Sequence, residues 1–382
     1  DWASGAEILF LLALGLILIL LLHRLGALWS AVATLAAITA AVAGSWIAYS
    51  RLAMQFDPLY PSLAALAIYF AGSLLGYLRT EDEKRFVRTA FSQYMSPVLV
   101  EEVTRNRKRL QLGGEMRELT VMFSDIQGFT RIAETLDPQA LTRLINGILT
   151  PLTSAIQEVR GTIDKYIGDC IMAFWNAPLD DADHAQHALR AALAMKKALA
   201  KVNAELAAEA ARAGRQPLEV AIGIGINTGR CSVGNMGSVQ RFDYTALGDT
   251  VNLASRLEGL TRGYGVGVIV GEDTAAKAGD MPLIEIDRVQ VKGRARPLAI
   301  YTLVGEARDG AFEQLAATQA KLLAAYRGRD WERASAALAA CRGLAPELGQ
   351  LHDLYARRIA EFIEAPPPGE WDGVYVATSK TG

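Results

Sequence analysis

The sequence predicts an α+β chain: three membrane-spanning helices and a juxtamembrane helix, then a sandwich built on a mixed sheet, then a small helical segment. Two observations carry this. Apolar residues crowd the N-terminus, and from about Glu118 short β-rich runs alternate with helical ones through both crossovers and hairpins. With 382 residues and 51% hydrophobic content there is room for more than one domain. A formal charge of −2 gives no reason to expect a nucleic-acid partner.

The segments Ile8–Leu22, Leu25–Ser50 and Pro58–Leu78 contain no Asp, Glu or Lys. Crossing the hydrocarbon core takes roughly 20 apolar residues; the second and third segments meet this comfortably and the first is marginal, with three spans expected over residues 1–79. Arg24 lies in the first connection and Arg51 in the second, while Arg79, Lys84, Arg85 and Arg88 follow the third span. The excess of Lys and Arg on the cytoplasmic side puts everything after Arg79 inside the cell, anchored in the inner (plasma) membrane, with residue 1 outside. The opening Asp1-Trp2-Ala3 has neither the Met nor the basic start of a signal peptide, and an N-terminal truncation is expected. Cys170, Cys231 and Cys341 are too few and too scattered for a disulfide framework or a zinc site, in agreement with a reducing cytoplasm.

Residues 80–116 read as a juxtamembrane helix and linker. Thr80 and Glu83 match a capping box, and Val87, Phe91, Tyr94 and Met95 fall at helical spacing, a stripe that would let two copies pair. Residues 117–305 hold the sandwich. "ELTVMFSDI" reads as a strand and Pro138–Val159 as a helix, followed by a hairpin with its turn at Gly168 and an Ala-rich helix from about Ala182 to Ala213. After these come "LEVAIGIGINTG", the helix-like "DTVNLASRLEGL", "VGVIVG", and the paired runs "LIEIDRVQV" and "PLAIYTLVG". Residues 306–382 turn helical again. Tyr326, Trp331 and Ala334 have the pattern of a tetratricopeptide-like hairpin, but stable arrays need about three repeats, which favours an accessory packing element. After "APPPGEW" the final residues read as an exposed tail.

"TVMFSDIQGFT" runs an apolar strand into Asp125, with Gly128 and Thr130 at the expected start of a helix. A helix start presents free N–H groups to anions, and a carboxylate beside it can hold a cation bridging to them. Taken alone, Asp125 is as well read as a helix cap. Asp169, at the hairpin turn, supplies a second acid, and two carboxylates on adjacent strand ends could hold two hard cations about 3.5–4 Å apart. Asp164, in the same hairpin, reads as a solvated strand edge.

The segments "FSDIQGFT", "DKYIGDCIMAFW", "YTALGDTVNLASRLE" and "VKGRARPLAIY" resemble, in this order and spacing, the signature segments of class III nucleotidyl cyclases, over about Arg117 to Leu303. The resemblance implies a ferredoxin-like class III cyclase sandwich. It implies that Asp125 and Asp169, helped by the Ile126 carbonyl, bind two divalent cations, Mg2+ or Mn2+, and that the backbone through Gly128, Phe129 and Thr130 cradles phosphate. Lys165 would read adenine, since a lysine donates to the adenine N1 acceptor and cannot serve the protonated guanine N1. Its partner position holds Thr245 where many adenylyl members have Asp. That Thr subtype is associated with bicarbonate stimulation.

In "NLASR", Asn252 would orient the ribose and Arg256 would stabilise charge on the α-phosphate, their spacing of four placing both on one helix face. Lys292 would grip the terminal phosphates, with Arg241 a looser phosphate candidate. Without the resemblance, the Asn252 and Arg256 face is an ordinary polar helix surface and Lys292 a strand-end lysine. The membrane segments and "FSQYMSPVLVEEV" resemble a bacterial subgroup in which an extracellular sensor precedes three spans, and Trp371-Asp372-Gly373 recurs in such proteins.

The implied activity is a membrane-anchored adenylate cyclase acting on ATP. One domain copy carries both halves of the site, so a homodimer is expected. A guanylate cyclase is the nearest rival. A silent nucleotide-binding receptor domain would lack a metal acid or Arg256, and a diguanylate cyclase would carry a Gly-Gly-Asp/Glu-Glu-Phe segment, which is absent from the sequence.

Overall fold

The computed structural model describes residues 9, 12–20, 27–52, 57–92, 112–238, 240–291, 296–368 and 370–376. The chain divides into two units, Asp1–Met95 and Ser96–Gly382. In the first, residues 12–20 are helical, and two long helices follow, α1 (Ala27–Leu52) and α2 (Leu59–Ser92). Among the described residues, two stretches are long and apolar enough to cross a membrane, Trp29–Arg51 and Leu59–Leu78. Only 11% of either is buried, unlike the core helix of a soluble domain.

The expectation of three spans is therefore corrected to two. The described helix at 12–20 rises about 1.5 Å per residue and covers about half of the hydrocarbon thickness; the rest of that segment lies outside the described residues. The capping box at Thr80 is also overturned. The α2 helix starts where Asp57 accepts from Leu59 N at 2.8 Å and continues unbroken through Thr80 to Ser92. No helix start with free N–H groups exists at Thr80 for its side chain to satisfy. Tyr94 and Met95 lie outside the described residues.

The second unit is built on a sheet with nine strands among the described residues. Its elements are β1 (Gly113–Ile126), α3 (Phe129–Thr135), α4 (Pro138–Glu158), β2 (Thr162–Ile167), β3 (Cys170–Trp175), α5 (His184–Arg212), β4 (Ile222–Gly237), β5 (Phe242–Leu247), α6 (Asp249–Tyr264), β6 (Val268–Gly271) and the short α7 (Glu272–Ala275). Then follow β7 (Leu283–Gln290), β8 (Leu298–Leu303), α8 (Gly310–Arg327), α9 (Trp331–Leu344), α10 (Gly349–Glu364) and β9 (Tyr375–Val376). The strand order is β2-β3-β1-β4-β6-β8-β7-β9, with β5 pairing β4. The sheet is mixed: β4 runs antiparallel to β1 and parallel to β6.

"LTVMF" is apolar without alternation because β1 is covered on both faces. Met122 and Ile126 join a core with Ile148, Leu152, Leu189 and Met195 of α4 and α5. Leu119, Val121 and Phe123 join another with Met172, Phe174, Val233 and Ala246. The α4 helix begins where sequence places it, because Asp137 accepts from Gln139 N at 3.0 Å and Ala140 N at 2.9 Å. The β2–β3 hairpin also forms as read, turning at Gly168 with φ +67, a conformation that favours glycine.

The C-terminal helices share one core with α6 and β7, in which Leu253, Leu257 and Ile286 meet Leu322, Tyr326, Leu351 and Tyr355. The expectation of an exposed tail is overturned for residues 372–376, which follow a packed Trp371. The Trp371 ring lies 4.9 Å from Phe362 and 5.4 Å from Tyr326, and β9 pairs in parallel with β7. A large aromatic surface gains more from burial here than a free tail gains in entropy.

Candidate active site

Asp125 stands at the end of β1, paired opposite Gly223 of β4. Asp169 sits in the β2–β3 turn and its Oδ2 accepts from Ile126 N at 3.3 Å, which brings the two carboxyls together. Burial, and then the negative charge of Asp169, push the Asp125 carboxyl up to about 6. Glu258 of α6 is pushed up to about 7, by burial first and by Asp125 next. Arg262 partly offsets both.

This is a pocket of hard oxygens in need of positive charge, which fits a divalent cation such as Mg2+ or Mn2+. Among the described residues no group of three or more His, Cys, Asp or Glu side chains gathers at metal-binding spacing. A cation held by Asp125 and Asp169 would therefore complete its shell with main-chain, water and substrate oxygens, as Mg2+ commonly does. The neighbouring Cys170 thiol is pushed up to about 12, chiefly by burial, and is not a thiolate ligand.

Asp125 is not a helix cap: the residue preceding α3 is Gly128, at φ +73. The first main-chain bonds of α3 are donated by Arg131 and Ile132 to the Gly128 carbonyl at 3.0 and 3.3 Å. The N–H groups of Phe129 and Thr130 thus precede the ladder.

On α6, Leu253, Ala254, Leu257 and Leu260 are buried while Asn252 is exposed and Arg256 half-buried, so the two polar residues do share the outer face. A glycine in β4 lets this helix approach: a Cβ on Gly225 would lie 2.2 Å from both the Ala254 carbonyl and the Glu258 nitrogen. Arg256 lines a cavity of about 220 Å3 with Asp125, Gln127, Glu258 and Arg262. A second cavity, about 730 Å3, borders Gln127, Gly128, Arg131 and Arg262. Neither is lined by Lys165 or Thr245. Arg241 is exposed in the turn between β4 and β5, its main chain closing on Ser238, and lines neither cavity. Lys292 lies outside the described residues.

Lys165 and Thr245 form a separate cluster with a residue that sequence reasoning missed. The Thr245 hydroxyl donates to Asp164 Oδ2 at 2.5 Å, and Lys165 Nζ lies 3.2 Å from Asp164 Oδ1. The Asp164 side chain is 0% exposed, which overturns its reading as a solvated strand edge. A bulge between Ile163 and Lys165 is the cause. It breaks the two-residue alternation and lets adjacent side chains reach the same side of β2. Burial pushes the Asp164 carboxyl up, opposed by the Thr245 bond and the Lys165 charge. The one signal in the sequence was two consecutive charges, Asp164 and Lys165, inside the first strand of the hairpin.

Comparison with known proteins completes the description. Residues 114–305 match the family described as "Adenylate and Guanylate cyclase catalytic domain". The chain is 38% identical to Adenylate cyclase 1 of Rhizobium meliloti over 50% of its own length and 28% of that protein. It is 35% identical to an adenylate cyclase of Anabaena cylindrica, over 57% of this chain and 42% of the relative. The chain thus spans less than half the length of these curated relatives. Among solved structures, a bacterial light-regulated adenylyl cyclase superposes with a TM-score of 0.50 at 25% identity, covering 65% of this chain and 68% of that one.

Proposed function

Because the chain belongs to the family of adenylate and guanylate cyclase catalytic domains, we propose that it is a membrane-anchored adenylate cyclase converting ATP to 3′,5′-cyclic AMP and pyrophosphate. The observation that carries the choice of nucleotide is Lys165 beside Thr245, a donor for adenine N1 with a hydroxyl that can accept from the 6-amino group. The named relatives that are adenylate cyclases support the same choice.

In this reading Asp125, Asp169 and the Ile126 carbonyl would hold two divalent cations, whose charge would neutralise the triphosphate and lower the pKa of the ribose 3′-hydroxyl. The free N–H groups of Phe129 and Thr130, with Gly128, receive phosphate oxygens, and Lys292 grips the terminal phosphates. Asn252 orients the ribose so that its 3′-oxygen faces the α-phosphorus. The 3′-oxygen gives its proton to water and bonds to the α-phosphorus, Arg256 donates to the α-phosphate oxygens as charge builds on them, and the bond from the α-phosphorus to the pyrophosphate oxygen breaks.

The active sites are formed by a homodimer. Supporting this, Lys165 and Thr245 lie outside the cavities that border the carboxylates. Ile167 and Leu247, on the strands carrying those two residues, are 54% and 57% exposed and offer apolar surface for a second copy. Membrane anchoring rests on the two apolar helices.

The test is turnover of purified protein with ATP or GTP, Mg2+ or Mn2+, with and without bicarbonate. ATP is expected to be strongly preferred; equal rates would overturn the assignment to adenine. Asp169→Ala and Lys165→Ala should each be inactive alone. Mixed as equal amounts they should recover roughly a quarter of the wild-type rate, from statistical pairing in a two-fold dimer with one intact site per heterodimer. A mixture that stays inactive while heterodimers form would sink the shared-site arrangement.

A further inference from the structure

We infer that Asp164 is a positioning residue for base selection: it holds the Thr245 hydroxyl as an acceptor-only group and fixes Lys165 beside it, so that the pocket takes a purine bearing a 6-amino group and rejects one bearing a 6-oxo group. This rests on the adenylate reading above. A threonine hydroxyl carries one hydrogen and can serve either kind of purine by rotating. By itself Thr245 is therefore a poor discriminator. Here its one hydrogen is committed to Asp164 Oδ2 at 2.5 Å, and only lone pairs remain to face a base. They accept from an adenine amino group and repel a guanine carbonyl.

The other carboxylate oxygen completes the device. Oδ1 makes no hydrogen bond and faces Lys165 Nζ at 3.2 Å as an ion pair, so one buried carboxylate holds both groups of the pocket. Thr245 is itself only 6% exposed, and a buried hydroxyl cannot turn to water to release its hydrogen. The carboxylate does not meet the base; it acts through the hydroxyl and the ammonium. A charge at the position of Asp164 thus substitutes for one at Thr245.

The experiment compares kcat/KM for ATP and GTP in the wild type, Asp164→Asn, Thr245→Ala and the double variant. In Asp164→Asn the side-chain oxygen is claimed by Lys165 and the amide NH2 turns to Thr245. That amide donates to the hydroxyl oxygen and frees its hydrogen for a 6-oxo group. The ATP-to-GTP ratio should fall about tenfold, the scale of one hydrogen bond, mainly through gained GTP turnover. In the Thr245→Ala background the same change should leave the ratio unmoved. Thr245→Ser, which keeps the hydroxyl, should keep the wild-type ratio.

A ratio unchanged in a folded Asp164→Asn protein overturns the inference, as does an equal fall in the Thr245→Ala background. If the Asn variant does not fold, Asp164→Ser takes its place with the same expectation, its smaller side chain leaving room for water at the hydroxyl. A wild type that does not prefer ATP overturns instead the adenylate reading on which the inference stands.

Discussion

The Thr120 hydroxyl lies in a buried chain, 2.7 Å from His184 Nδ1 and 2.8 Å from Thr228, which continues at 2.8 Å to Thr274. Burial lowers the His184 imidazole below its usual 6.5, against the opposing pull of Glu118. The unfolded chain therefore takes up a proton near 6.5 while the folded one resists it. Stability should be full above that pH and fall as the pH drops below it. His352, buried with both ring nitrogens unpartnered, is lowered by burial as well and adds a loss of the same sign. Melting curves between pH 8 and pH 5 should show this slope, and His184→Gln should flatten part of it; an unchanged slope would remove His184 from the account. None of this was legible beforehand, because a lone histidine in sequence carries no sign of its depth. Asp164 was misread for the same reason: its chain neighbours were visible, but the hydroxyl that buries it comes from Thr245, 81 residues away.

At the scale of elements, periodicity placed the β2–β3 hairpin, α4 and α5 closely, because local pattern and caps decide those boundaries. It could not explain the glycines in "LEVAIGIGINTG". Gly225 has its reason in α6, whose backbone occupies the space a Cβ would need. Gly225→Ala should push that helix off the sheet, costing about 1–3 kcal/mol in chemical denaturation, the range for overpacking. Because the displaced helix carries Asn252 and Arg256, turnover should fall further than the stability loss accounts for; a folded variant with wild-type turnover would contradict this. The capping box at Thr80 failed in the opposite sense. Its residues fit the local rule, yet the preceding apolar helix continues through them, since an uninterrupted ladder leaves no free N–H group to cap.

Across the second unit, the family match ends at residue 305 but the packing does not. Asp287 of β7 accepts from Tyr264 of α6 at 2.6 Å and from Arg358 of α10 at 2.7 Å, with Asp287 1% and Arg358 9% exposed. Arg358→Leu would leave Asp287 with an uncompensated buried charge, and thermal or denaturant unfolding should show a loss of about 3–5 kcal/mol; a loss under 1 kcal/mol would mean the C-terminal helices are not braced through this pair. The amino-acid sequence by itself determined the apolar N-terminus, the alternation of strands and helices, the hairpin turn and the ordered motifs that mark the family. All of these are written in residues near one another along the chain. Only the tertiary structure decided that Asp164 answers to Thr245, that Gly225 answers to α6, and that Trp371 and Arg358 belong to the core. Each depends on a partner distant in sequence, and burial, which sets the strength of every charge and hydrogen bond involved, exists only once the chain has folded.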